Sequence, residues 1–76
     1  MDMKIIVENI EAMGKAGTKN TSVSPKIFES LVRYFKKNSY LGASLQRNEI
    51  TREFESIRYK DVVITELNVR LRQLQR

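Results

Sequence analysis

Apolar residues recur with helical spacing from the first residues of the chain. Met3, Ile6, Val7, Ile10 and Met13 fall at i, i+3, i+4, i+7 and i+10, one face of a helix. Gly14 and Gly17 are expected to stop it. Ile5 and Val7 also alternate with charge, so a strand through residues 4–10 is the competing reading. Residues 14–24 (GKAGTKNTSVS) are polar and rich in Gly, Thr, Ser and Asn, which predicts a flexible connector. Ser24 then suits an N-cap and Pro25 a first helical turn, where its missing N–H costs nothing. Ile27, Phe28, Leu31, Val32 and Phe35 follow with helical spacing, and Glu29 and Arg33 stand in the favourable i, i+4 order. Lys36 and Lys37 complement the helix C-terminus, and Asn38-Ser39 close it.

The second half reads as two more helices. Tyr40–Ser44 is a turn around Gly42. A helix over 46–58 presents Ile50, Phe54 and Ile57, and the connector Arg58-Tyr59-Lys60-Asp61 leads into a last helix with Asp61 as N-cap. Val63, Ile64, Leu67, Leu71 and Leu74 form its core face. The expected fold is therefore all-α: a single domain over residues 1–76, a compact bundle of three to four helices. Its C-terminal pair has the short connector of a helix-turn-helix.

Size and composition add constraints. A 76-residue chain has room for one modest core, and domains this small usually lean on disulfides, a metal or self-association. With no Cys and no His, a homodimer becomes the expected support. The longest apolar runs are Ile5-Ile6-Val7 and Val62-Val63-Ile64, too short for a signal peptide or a membrane span, so a cytoplasmic location is expected.

The same absences bear on chemistry. Zinc, redox and Ser/His or Cys/His nucleophilic sites need Cys or His. Gly14-Lys15-Ala16-Gly17 lacks the spacing of a phosphate-binding loop and reads as a helix stop. The carboxylate pairs Glu8/Glu11 and Glu49/Glu53 are interleaved with polar and basic residues, whereas acid–base work needs one member desolvated. No enzyme activity, cofactor, metal or small-molecule substrate is expected.

Charge points to binding instead. Fourteen Lys and Arg against nine Asp and Glu give a net charge of +5 and a pI near 9.8, a balance that favours polyanions. On a helical wheel the last helix exposes Thr65, Asn68, Val69, Arg72 and Arg76, residue types that meet base edges and thymine methyls. Arg58, Lys60 and Arg70 would flank the groove and meet phosphates. The leading expectation is a small transcription or replication regulator that binds duplex DNA through this helix. The alternative is an adaptor, chaperone or inhibitor that docks on another protein through Val62 and Val69 or through the Met3–Met13 helix. No membrane partner is expected, because the cations do not segregate against a wide apolar face. Tyr34, Tyr40 and Tyr59 read either as stacking platforms for single strands or as core-edge residues.

Three stretches resemble the winged-helix DNA-binding domain of OmpR-type response regulators. Val23-Ser24-Pro25-Lys26-Ile27-Phe28-Glu29-Ser30-Leu31 is similar to the segment leading into that family's first helix. Gln46-Arg47-Asn48-Glu49-Ile50 looks like the start of its second, and Leu67-Asn68-Val69-Arg70-Leu71-Arg72-Gln73-Leu74 like the end of its recognition helix. The resemblance covers about residues 23–74 and implies duplex DNA as partner and a recognition helix as the reading element. The wing hairpin is not expected, because the sequence stops at Arg76.

Overall fold

The N-terminal apolar stripe forms a helix, α1 (Met3–Lys15), in the computed structural model, which describes residues 2–67. Asp2 caps it, its Oδ1 accepting from the Lys4 N–H at 3.0 Å. Gly14 does not end the helix. The end comes at Ala16, followed by Gly17 with φ 95°, and the Thr18 N–H returns to the Met13 carbonyl at 2.9 Å. That closure needs a left-handed residue after the cap, which glycine adopts without strain. The second helix, α2 (Pro25–Lys37), starts where Ser24 Oγ accepts from the Ile27 N–H at 3.3 Å and ends at Asn38.

Between the two helices, four residues of the expected connector form strand β1 (Asn20–Val23). A single 3-10 turn, Ser39–Leu41, follows α2, and Gly42 with φ 78° carries the chain into β2 (Ser44–Arg47). β3 (Phe54–Tyr59) and β4 (Val62–Glu66) complete a four-stranded sheet ordered β1-β4-β3-β2. β1 runs parallel to β4, and β2, β3 and β4 form an antiparallel meander.

The fold is thus α+β, and the all-α bundle with a helix-turn-helix pair is overturned. The expected helix over 46–58 is the end of β2, a loop and β3. The expected last helix begins as β4 over residues 62–66, and Asp61 is the second residue of a tight turn instead of an N-cap. Val62-Val63-Ile64-Thr65 are all β-branched, and such side chains fit a pleated surface better than a helix. Ile57 and Tyr59, then Val62 and Ile64, alternate with exposed or half-buried neighbours at period two. Lys60 and Asp61 carry φ 45° and 68°, the double left-handed geometry of a type I′ hairpin turn.

Alternation gives the sheet two unlike faces. Towards the helices point Thr21, Ile64, Ile57 and Leu45 in one row across the strands, with Val62 and Tyr59 beside it. They meet Val7 and Ile10 of α1 and Phe28, Leu31 and Phe35 of α2 in a single core. Leu31, Ile57, Val62 and Ile64 are 0% exposed. Val62 is therefore a core residue, and the docking face built on Val62 and Val69 is withdrawn. The other face of the sheet carries the rows Asn20–Val63–Arg58–Ser44 and Ser22–Thr65–Ser56–Gln46. Apart from Val63 these are polar, and Ser22 Oγ and Thr65 Oγ1 share a hydrogen bond at 3.2 Å. Among the described residues, no helix is long and apolar enough to cross a membrane.

Candidate interaction surface

The loop joining β2 and β3 is built on one residue, Asn48. Its Oδ1 accepts from the backbone N–H groups of Ile50 at 2.8 Å and Thr51 at 3.0 Å. Its Nδ2 donates to Glu55 Oε2 at 3.2 Å. Its own N–H donates to the Glu53 carbonyl at 2.8 Å, and its carbonyl accepts from the Arg52 N–H at 2.9 Å. Thr51 Oγ1 adds a bond from the Glu53 N–H at 3.3 Å, and Arg52 takes φ 67° to close the loop. An asparagine side chain that satisfies following backbone donors mimics a turn and fixes it. At the crest stands Ile50, 92% exposed, between Glu49 and Arg52.

Strand pairing then changes register. Gln46 faces Ser56 while Arg47 faces Phe54, so Glu55 is an extra residue on β3. A bulge of this kind breaks the alternation and re-aims side chains. Phe54 meets both Lys36, whose Nζ lies 4.7 Å from the ring centroid, and Arg47, whose Cζ lies 4.6 Å away. Each such contact contributes about 0.5–1 kcal/mol at an exposed site.

An open groove of about 820 Å³ runs between α2 and this hairpin. Pro25, Val32 and Phe54 supply its apolar surface, over the buried ring of Phe28. Arg33 and Lys36 stand on its α2 side together with Glu29, and Asn48, Thr51, Glu53 and Glu55 form the hairpin side. The loop that carries Ile50 is thus also a wall of the groove.

The residues expected to read DNA are placed differently. Arg58 is exposed on the open sheet face, between Ser44 and Val63. Thr65 lies on the same face, its Oγ1 bonded to Ser22 and to the Thr21 carbonyl at 3.4 Å. Lys60 sits in the β3–β4 turn and pairs with Glu11 of α1 at 3.5 Å. Asn68, Val69, Arg70, Arg72 and Arg76 lie outside the described residues, as do Leu71 and Leu74. Arg58 and Thr65 share a face and Lys60 turns to α1, so no recognition helix unites them. The second stretch of the winged-helix resemblance, residues 46–50, forms a strand end and a loop in place of a helix start. The tyrosines form no platform: Tyr59 is buried, Tyr34 stands edge-on to Phe35 with centroids 6.0 Å apart, and Tyr40 is exposed.

Three of the four paired carboxylates lie in water, and the fourth, Glu11, is half-buried. Glu8, Glu49 and Glu53 are exposed, and Glu11 takes ion pairs from Lys15 and Lys60 and a hydrogen bond from Tyr59. Among the described residues no charged or polar side chain is buried, and no group of three or more His, Cys, Asp or Glu stands ready for a metal. The Tyr59 phenol is pushed above its ordinary pKa, first by burial and then by its bond to the Glu11 carboxylate. Its ring is part of the core, which makes that bond structural.

What was missed from sequence is the hairpin crest. Ile50 fits a helical stripe with Phe54 and Ile57. The available signal was an isolated apolar residue inside the polar run Asn48-Glu49-Ile50-Thr51-Arg52-Glu53, two places after an asparagine able to fold a turn. Among the described residues, the fold and site define a small two-layer α+β domain whose two helices cover one face of the sheet, with an apolar knob held out beside a groove. No protein-family model, no curated protein and no solved structure matches this chain.

Proposed function

We propose that this protein is a non-catalytic protein-binding module that docks on its partner through the β2–β3 hairpin, in the manner of an adaptor or inhibitor. The observation that carries this reading is Ile50, 92% exposed on a loop whose backbone is held by Asn48. Single exposed apolar residues are common. This one differs because the Asn48 side chain holds the loop that presents it with its oxygen and ties that loop to Glu55 of β3 with its nitrogen. Burying an isoleucine contributes about 1.5–3 kcal/mol, and a loop already ordered gives up little entropy on binding. An apolar anchor ringed by polar side chains is the usual anatomy of a binding hot spot. Nucleic acid is the weaker fit at this place, since Glu49 and Glu53 offset Arg47 and Arg52 at the crest.

A photo-crosslinking side chain installed at position 50 is expected to give discrete protein adducts in cells, and one at position 58 on the open sheet face to give none. Salt titration of duplex DNA binding supplies the counter-test, because phosphate contacts make log K fall with log salt. Salt-dependent duplex binding that survives Ile50→Asp, together with no adduct at position 50, overturns the reading.

A further inference from the structure

The carboxamide of Asn48 works in two directions with one rigid group. Its Oδ1 accepts from the Ile50 and Thr51 N–H groups, and its Nδ2 donates to Glu55 Oε2 at 3.2 Å. The group is planar, so a bond that fixes Nδ2 also fixes the direction in which Oδ1 points. The backbone bonds at the foot of the loop cannot do this. They join Asn48 to Glu53 and Arg52 to Asn48 through main-chain atoms, and they leave the side-chain torsions of Asn48 unheld. The bond to Glu55 holds them, and its acceptor is a carboxylate, which strengthens it over a neutral one.

The bulge is what makes Glu55 available. Ile57 and Tyr59 are buried, and position 55 comes next in that period-two series, yet Glu55 is exposed. Continued alternation would carry its carboxylate towards the core, at a high cost in desolvation. The ladder instead passes over it, Gln46 facing Ser56 and Arg47 facing Phe54, so Glu55 has no partner residue on β2. We infer that Glu55 is the positioning residue of the crest: its carboxylate locks the Asn48 amide, and the locked amide holds Ile50 in the attitude in which it docks. The last step rests on the protein-docking reading above; the lock itself does not.

Amide hydrogen exchange of the whole chain reads the lock with no partner present. Glu55→Ala is expected to speed exchange at Ile50 and Thr51 by about two- to tenfold, the worth of one hydrogen bond. Exchange at Ile57 and Ile64 in the core strands is expected to stay as it was. Glu55→Gln keeps an oxygen for Nδ2 and is expected to restore most of the protection. The docking step is read by the yield of adducts from the photo-crosslinking side chain at position 50, expected to fall with Glu55→Ala and return with Glu55→Gln. If Glu55→Ala speeds exchange in the core strands as well, Asn48→Asp takes its place, since it keeps an acceptor for both N–H groups and loses the donor to Glu55. Unchanged exchange at Ile50 and Thr51 overturns the lock. Faster exchange with an undiminished adduct yield overturns the positioning role, because the crest then docks whatever its order. A crest that gives no adduct even with Glu55 in place sinks the docking reading and the positioning role with it, and leaves the lock to be judged by exchange.

Discussion

Tyr59 ties the sheet to α1 at a single atom. Its hydroxyl donates to Glu11 Oε2 at 3.2 Å, while its ring lies tilted against Phe35 in the core, centroids 5.0 Å apart. Removing the hydroxyl in Tyr59→Phe keeps the ring and loses one bond to a charged acceptor, for a cost of about 1.5–3 kcal/mol at neutral pH. The same bond has a pH signature. Burial and Glu11 hold the phenol above its ordinary 10.0 in the folded chain. The unfolded chain therefore deprotonates first, and the stabilisation is complete below pH 10.0 and is lost as pH rises through the folded value. Denaturant melts from neutral pH upward should show stability falling above about pH 10, with a shallower fall in Tyr59→Phe. An identical slope in both proteins would place the loss on other groups. Glu11 also takes Lys60 at 3.5 Å and Lys15 at 4.0 Å, but these partly exposed pairs add little.

Elements explain why half of this fold was readable and half was not. α1 and α2 carry five apolar positions each at helical spacing, with Asp2 and Ser24 as caps, so pattern and capping agree. β3 and β4 carry apolar spacings short enough to fit a helical stripe or a strand, and the stripe reading won wrongly. Ile50, Phe54 and Ile57 lie on one helical face by number, yet one crowns a loop, one sits beside a bulge and one is core. The missing clue was the turn. Hairpins of this type usually announce themselves with Asn-Gly or Asp-Gly, and this one uses Lys60-Asp61, both left-handed at φ 45° and 68°. β1 was hidden for a different reason: an edge strand of Asn20-Thr21-Ser22-Val23 has little apolar signal and exists because β4 offers it a partner. Left-handed backbone costs an ordinary residue about 1–2 kcal/mol, and Asp somewhat less. Asp61→Gly is therefore expected to raise the melting temperature by relieving part of that strain, an increase of about 0.5–1 kcal/mol. An unchanged or lower value would mean that the Asp61 side chain supports the turn in a way its backbone does not reveal.

At the scale of the whole molecule, the first helix and the last hairpin meet over Gly14. A Cβ there would lie 3.0 Å from the Lys60 carbonyl oxygen and 3.1 Å from Val62 Cγ2. The first of these is backbone in a tight turn and cannot swing aside. Gly14→Ala would raise helix propensity by about 1 kcal/mol, but overpacking typically costs about 1–3 kcal/mol. The net expectation is destabilisation, read as a lower denaturation midpoint, against a total stability of roughly 4–11 kcal/mol for a chain this size. A midpoint that rises would show that α1 can shift away from the hairpin freely. From sequence, Gly14 read only as a helix stop, because closeness between residues so far apart in the chain leaves no local pattern. The polar face of the sheet was invisible for the same reason: Asn20, Arg58 and Ser44 join Val63 in a row only once four strands are laid side by side.

The parallel pairing of β1 with β4 also sets an order of events during synthesis. Ser22 waits for Thr65, 43 residues later in the chain, and β4 is an interior strand that carries Val62 and Ile64 into the core. At translation speeds of about 5–20 residues per second, that is a delay of roughly two to nine seconds. Until β4 is made, α1 and then α2 lack the strand that their apolar faces pack on. Sheet and core must therefore assemble late and nearly together, and a nascent chain arrested before residue 62 should be the form most readily held by a chaperone.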